Sequence, residues 1–376
     1  MKSAAELLRQ FEEIASNPRK AMEEYKKETG KGAVGIMPVY CPEEIVHAAG
    51  YLPIGMWGAE QKQISKARAY FPPFACSIMQ AIMELELEGV YDDLEAVIFS
   101  VPCDTLKCMS QKWHRDVPQI IFAHPQNRKL ARKAANAFCR EEYAQVKQKL
   151  EDILGVEITN RALHTSIAVY NENRAACREF SDLAAEYAGN ITPYQRHMVF
   201  KARWFMEKSK HTALLKELMY AIRAEEIKPF HGKKVVVSGI MLDPKGVLDI
   251  FQEHNFAIVA DDLAQETRNF RQDVTSDDDD ALLALAKAWN DFDGCSLATD
   301  PEKPKGQIIL DAVKKHQADA VIIAMMKFCD PEEFDFPVLK EQFDAAGVKY
   351  LQIEVDQESE AYEQIKTRIQ TFAEIL

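Results

Sequence analysis

Eight short apolar stretches, in two groups of four separated by about a hundred residues of helical pattern, limit what this chain can fold into. The first group is Ala33 to Tyr40, Tyr51 to Trp57, Ala96 to Val101 and Gln119 to Ala123. The second is Lys234 to Gly239, Phe256 to Ala260, Ala320 to Met325 and Tyr350 to Val355. Apolar runs of this length separated by helical periodicity are the pattern of parallel sheets covered by helices on both faces. From Arg128 to Glu226 the pattern is almost wholly helical, interrupted at Gly155, Gly189-Asn190 and Pro193. The expected fold is therefore α/β, two doubly wound parallel-sheet lobes joined by a helical layer, with an N-terminal helix. The segments are 1–30 for that helix, 31–127 for the first lobe, 128–230 for the helical layer and 231–376 for the second lobe. A length of 376 residues agrees with two lobes, because single cores seldom grow beyond about 250–300 residues.

The formal net charge of −13 argues against a sequence-independent nucleic-acid binder, which needs clustered Lys and Arg. An anionic small molecule remains compatible, since a local basic patch or a helix N-terminus is enough to bind one. Met1 to Gly30 carries Leu7, Leu8, Phe11, Ile14 and Ala15 at helical spacing and has no secretory apolar core. No run approaches the roughly 20 apolar residues that cross a bilayer. A cytoplasmic, membrane-free protein is the expectation, and its eight cysteines then read as thiols or metal ligands instead of disulfides.

Ligands of open α/β sheets sit beyond the carboxyl ends of the strands. Cys103 follows the third stretch of the first group, in Val101-Pro102-Cys103-Asp104, and Cys329 follows the third of the second group, in Phe328-Cys329-Asp330-Pro331. Each precedes a helix start, and the two lie in different lobes. Cys76, in Phe74-Ala75-Cys76-Ser77, also precedes a helix, whose N-terminus favours a thiolate. Three thiolates from distant segments can hold a cubane cluster and leave one iron open, whereas the dense C-x₂-C-x₂-C motif of ferredoxins is absent. Each cysteine taken alone also reads as a small buried hydrophobe. Cys41 and Cys108 are the nearest competitors as ligands. Cys139, Cys177 and Cys295 suit structural roles.

Other chemistries find less support. No G-x-G-x-x-G or P-loop follows Val237-Ser238-Gly239, and neither a G-x-S-x-G elbow nor an H-E-x-x-H pair occurs. Asp277 to Asp280 precede an apolar helix and read as its N-terminus. Asp261 to Arg268 follow a strand and read either as an ion-pair network or as cleft residues. His124, after another strand, reads either as a structural hydrogen bonder or as a cleft residue.

Several long motifs, in order along the chain, carry a resemblance: Pro38 to Gly50, Phe74 to Ile78, Cys103 to Leu106, His124 to Arg128, Ala260 to Arg268, Met325 to Glu333 and Thr367 to Glu374. End to end the chain resembles the β subunits of 2-hydroxyacyl-CoA dehydratases, in the superfamily that also holds benzoyl-CoA reductases. The resemblance implies that Cys76, Cys103 and Cys329 ligate a [4Fe–4S] cluster in an oxygen-sensitive enzyme. It implies an αβ heterodimer with a cluster in each subunit, and a separate ATP-dependent activator iron–sulfur protein that supplies a low-potential electron.

The reaction so implied is syn-type loss of water from an (R)-2-hydroxyacyl-CoA to an enoyl-CoA. One electron enters the thioester to give a ketyl radical that expels hydroxide, and the electron is recovered after the β proton leaves. The α subunit would bind most of the substrate, and this chain would relay electrons. A benzoyl-CoA reductase-type subunit, or an electron-transfer subunit without its own substrate site, are the competing readings. No catalytic base is assigned; Glu44 matches a carboxylate position near the cleft but equally suits a helix start. Neither the acyl group nor the fourth cluster ligand follows from the sequence.

Overall fold

The computed structural model describes residues 2–37, 39–59, 62–113, 116–126, 128–275, 277–358 and 361–376. Met1, Pro38 and Asn127, which belong to the expected first helix, first strand and loop after the fourth, lie outside the described residues. The expected N-terminal helix is two helices, α1 (Ala4–Ser16) and α2 (Pro18–Thr29). A capping box between Ser3 and Glu6 starts α1. The break falls at Asn17 because Pro18 has no N–H with which to continue the hydrogen-bond ladder, although it suits the first turn of a new helix.

The first lobe runs β1 (Ala33–Ile36), α3 (Glu43–Ala48), β2 (Leu52–Gly55), α4 (Ser77–Leu87), β3 (Ala96–Ser100), α5 (Asp104–Lys112) and β4 (Gln119–Phe122). Four helices follow: α6 (Arg132–Leu154), α7 (Asn160–Glu186), α8 (Pro193–Ala202) and α9 (Lys208–Arg223). The second lobe contains β5 (Lys233–Gly239), α10 (Lys245–Glu253), β6 (Phe256–Leu263), α11 (Thr267–Phe270), α12 (Ala281–Asp291) and α13 (Lys305–His316). It ends with β7 (Ala320–Met326), α14 (Asp330–Ala346), β8 (Tyr350–Val355) and α15 (Glu363–Ile375). All strands pair in parallel, in the orders β2-β1-β3-β4 and β6-β5-β7-β8. The two lobes thus repeat one strand order, and each has its switch point beside its first strand, where such sheets open a crevice. The α/β expectation is met. No helix of the described residues is long and apolar enough to cross a membrane.

One apolar core spans both sheets, joining Ile36 and Ile98 of the first to Val237 and Ile322 of the second. Trp204, just beyond α8, sits in the seam. Its Nε1 donates to the Gln265 carbonyl at 2.8 Å, and its own carbonyl accepts from the Gly55 N–H at 3.0 Å. Its ring packs so closely that a Cβ on Gly55 would lie 2.6 Å away, which excludes a side chain there. A second cluster binds α1 to the helical layer through Leu7, Phe11, Phe180, Phe200 and Leu215.

The helical layer is also tied to the second lobe by a buried charge network. On α8, Arg196 pairs with Asp261 and, at 2.7 Å, with Glu266. His197 lies 2.7 Å from both Glu266 and Asp243, and Lys201 lies 2.6 Å from Asp243. Three carboxylates therefore face Arg196, Lys201 and the imidazole, and the charges balance only when the ring is protonated. Burial alone would lower the His197 pKa, but the Asp243 and Glu266 carboxylates outweigh it and raise the pKa to about 9.

A raised folded-state pKa contributes stability that is full below the unfolded value, about 6.5, and is lost as pH climbs through about 9. The difference in urea stability between the wild-type chain and His197→Gln should be on the order of 3 kcal/mol near pH 6 and shrink toward pH 9. A difference that is flat with pH would show that the folded ring is neutral.

Candidate functional site

The three cysteines singled out in the sequence share one local geometry. Cys76, Cys103 and Cys329 are the N-caps of α4, α5 and α14. Cys103 follows β3 and Cys329 follows β7, so they occupy matching positions in the two lobes. A turn bonded from the Ala75 N–H to the Pro72 carbonyl at 3.0 Å delivers Cys76. The turn before Cys329 holds Phe328 at φ +64°, an uncommon conformation for a bulky residue, and the Cys329 N–H closes it on the Met326 carbonyl at 3.0 Å. Such local strain persists where the surroundings over-determine it, and it commonly accompanies a functional constraint.

None of the three thiols closes a capping hydrogen bond, yet first-turn amides approach each of them and favour the ionised sulfur. Those amides belong to Met79 and Ile78 for Cys76, Leu106 and Thr105 for Cys103, and Glu332 for Cys329. Burial dominates in the other direction: it pushes Cys76 up to about 12 and raises Cys103 and Cys329 as well. Charge on Cys103 raises Cys76 further, and charge on Glu332 first, then on Cys76 and Cys103, raises Cys329. The three sulfurs are thus within electrostatic reach of one another.

Among the described residues, no three His, Cys, Asp or Glu side chains gather tightly enough to hold a single metal ion. A polynuclear cluster asks for a different arrangement, one thiolate at each of several irons. The donor set fits that demand: soft sulfur ligands, helix N-termini that favour negative charge, and partial burial.

Next to Cys329, the segment Asp261 to Arg268 takes the first of its two readings, an ion-pair network. Glu332, in the first turn of α14, pairs with Arg268 at 3.0 Å and Lys305 at 2.5 Å. Arg268 also meets Asp262 at 2.9 Å and donates to the carbonyls of Asp262 and Gly239 at 2.7 and 3.1 Å. Burial would raise the Glu332 pKa, but Lys305 and Arg268 hold it below the usual range. Ion-pairing is the observed role of this segment, with Glu266 serving the α8 network.

A cavity of about 110 Å³ lies past the carboxyl end of β1, lined by Tyr40, Cys41, Glu44, Arg174, Trp289 and Phe292 among others. None of the three N-cap cysteines lines it. Glu44 is engaged by Arg174, and Glu43 lies 2.9 Å from Lys208, so both carboxylates of the α3 start have cationic partners. Burial pushes the Cys41 thiol up to about 12, and its sulfur faces the Met37 and Ile98 carbonyls at 3.5 and 3.4 Å, a neutral structural role.

Cys108 is exposed within α5, while Cys139, Cys177 and Cys295 are buried. His124 is buried and stacked on Trp289, and burial lowers its pKa to about 3. Asp280 caps α12 by accepting from the Leu282 and Leu283 amides. His47 bridges Ser166 at 2.9 Å and Glu207 at 3.0 Å, but Ser166 is 1% exposed within α7. That row ties helices together and presents no nucleophile. The sequence reading missed Ser77, Gln357 and Lys305, whose partners lie far away in the chain and leave no motif.

Residues 38–376 match the family described as 2-hydroxyglutaryl-CoA dehydratase, D-component. The β subunit of lactoyl-CoA dehydratase from Anaerotignum propionicum is 59% identical over 370 residues, covering 98% of each chain. The (R)-phenyllactyl-CoA dehydratase β subunit of Clostridium sporogenes is 41% identical over 379 residues, covering 100% of both. The (R)-2-hydroxyglutaryl-CoA dehydratase subunit beta of Acidaminococcus fermentans is 40% identical over 377 residues, covering 98% of this chain and 99% of its own.

Replacing Arg268 by Met should lower stability by roughly 3 kcal/mol, because it leaves buried acceptors short of a partner. Chemical denaturation of the metal-free chain measures this, and an unchanged midpoint would show that Lys305, on Glu332, and Arg271, 2.7 Å from Asp262, suffice.

Proposed function

The chain belongs to the 2-hydroxyglutaryl-CoA dehydratase D-component family, and we propose that it is the β subunit of a radical (R)-2-hydroxyacyl-CoA dehydratase that holds a [4Fe–4S] cluster on Cys76, Cys103 and Cys329. The carrying observation is that these three thiols, from both lobes, sit at helix N-termini within electrostatic reach of one another. When bound, such a cluster supplies one-electron chemistry, which lets a 2-hydroxyacyl thioester lose water to an enoyl-CoA although its β proton is not acidic.

The chain's own residues contribute position and electrostatics. The α4, α5 and α14 N-termini offset negative charge on ligating sulfurs. Burial makes free thiolates costly, so the metal-free thiols hold their protons, and metal binding is coupled to proton release. The Glu332–Arg268–Asp262 chain braces the turn that carries Cys329.

A subunit named β has an α partner, and the turn carrying Cys76 and the α14 helix that follows Cys329 expose apolar surface suited to one. Phe74 is 69% exposed and Phe334 82% exposed. The α subunit would hold most of the 2-hydroxyacyl-CoA, and an ATP-dependent activator would deliver the electron, in keeping with the lack of a P-loop here. The 59% identity to a lactoyl-CoA dehydratase subunit makes lactoyl-CoA the first thioester to assay.

Purified without oxygen, the chain should contain iron and acid-labile sulfide and give a paramagnetic signal on reduction. Single Cys76→Ala, Cys103→Ala and Cys329→Ala variants should lose most of both elements and alter or abolish the signal. Wild-type iron and sulfide content in all three variants would sink the ligand assignment. With the α subunit and activator added, lactoyl-CoA should lose water without net consumption of reductant, whereas a stoichiometric demand for electrons would mark a reductase instead.

A further inference from the structure

Cys76 and Cys329 belong to different lobes, so their separation is set across the seam and not within either sheet. Ser77 and Gln357 span that seam beside both. Ser77 opens α4 next to Cys76, and its side chain is buried. Its hydroxyl donates to Met326 Sδ at 3.3 Å and accepts from the Gln357 N–H at 3.0 Å. Met326 ends β7, and its carbonyl closes the turn onto the Cys329 N–H. A short path of bonded atoms therefore runs from the Cys76 cap to the Cys329 cap.

Gln357, just past β8, is 1% exposed and reaches into the first lobe. Its Nε2 donates to the Trp57 carbonyl at 2.7 Å, and its backbone carbonyl accepts from the Lys62 N–H at 2.9 Å. The fit leaves no slack: Gly58 has φ +81°, and a Cβ on it would come within 2.1 Å of Gln357 Oε1. Buried hydrogen bonds of this kind resist sliding, because breaking one leaves a polar group unsatisfied away from water. Ser77 thus bonds across the seam to Met326 and Gln357, and Gln357 bonds across it to Ser77, Trp57 and Lys62.

The geometry points to Ser77 and Gln357 as positioning residues that fix the Cys76 thiol against the Cys329 thiol, presetting the two lobes for one shared cluster. The inference rests on the ligand assignment proposed above. It is tested in the full-length chain with Ser77→Ala and Gln357→Met, and with Ser77→Thr, which keeps the hydroxyl, as the conservative control.

In the metal-free, reduced chain, incubated long enough at mildly alkaline pH for the small thiolate fraction to react, a short bismaleimide should join Cys76 to Cys329, with the linked peptides quantified by mass spectrometry. The yield should fall several-fold in Ser77→Ala and Gln357→Met and recover in Ser77→Thr, while circular dichroism stays native. After anaerobic reconstitution, the two disruptive variants should give broadened or shifted paramagnetic signals. Should Gln357→Met not fold, Ser77→Ala, which removes a single oxygen, decides the matter. Wild-type cross-linking in the folded variants overturns the proposal, whatever the spectrum. A wild-type chain that takes up neither iron nor sulfide would instead remove the cluster assignment, while the cross-linking yield still tests the clamp.

Discussion

Two sheets with the same strand order meet along a seam that apolar contact alone would leave free to slide. Polar groups buried in that seam fix the register between them. Trp204 accepts from Gly55 on one side and donates to Gln265 on the other, and Gln357 donates its side-chain amide to Trp57 and its backbone N–H to Ser77 at the start of α4. Each of these bonds is modest by itself, about 1 kcal/mol net, but leaving a partner buried and unmet costs more. The seam is therefore specific as well as cohesive. Everything at the carboxyl ends of the strands, the three N-cap thiols included, inherits its relative position from it.

Electrostatics divides the interior into two kinds of site. Around α8 and around Arg268, buried carboxylates have cations at hydrogen-bond distance, which keeps Asp262 and Glu332 ionised despite burial. The thiols are met by the amides of helix first turns, while burial, with nearby carboxylates added at Cys103 and Cys329, keeps them neutral. Charged braces and protonated thiols sit side by side, Glu332 being three residues past Cys329. The ion pairs anchor the turn, and the Glu332 charge within them adds to burial in disfavouring ionisation of Cys329, so the brace also bears on the state of the sulfur it offers.

Much of this was legible in the sequence because parallel strands buried on both faces read as continuous apolar runs. Val235 to Val237 and Val321 to Ala324 announce themselves, and the strand–loop–helix rhythm around Cys103 and Cys329 follows directly. Local chemistry was legible too, as in the Asp280 cap of α12. The break at Asn17 was not legible from the apolar spacing of Leu7 to Ala15, which ends before Pro18; the missing Pro18 N–H sets it. Contacts between distant segments were not legible. Nothing near Glu332 names Lys305, and nothing near Ser77 names Gln357, because a partner found across a seam has no periodicity.

The shared strand order places two of the three N-cap thiols alike and leaves the third without a counterpart. Cys103 and Cys329 follow the third strands of their sheets, and a strict internal symmetry would pair Cys76, which lies between β2 and β3, with a thiol between β6 and β7. That stretch of the second lobe does hold a cysteine, Cys295, but its sulfur is turned into the interior, 3.2 Å from the Tyr40 hydroxyl and 3.7 Å from Arg268. The segment has been given over to Arg268, Arg271 and Lys305, which neutralise Asp262 and Glu332 and so hold the α14 N-terminus in place. One lobe thus supplies two thiols. The other supplies one thiol and the charged brace that aims it.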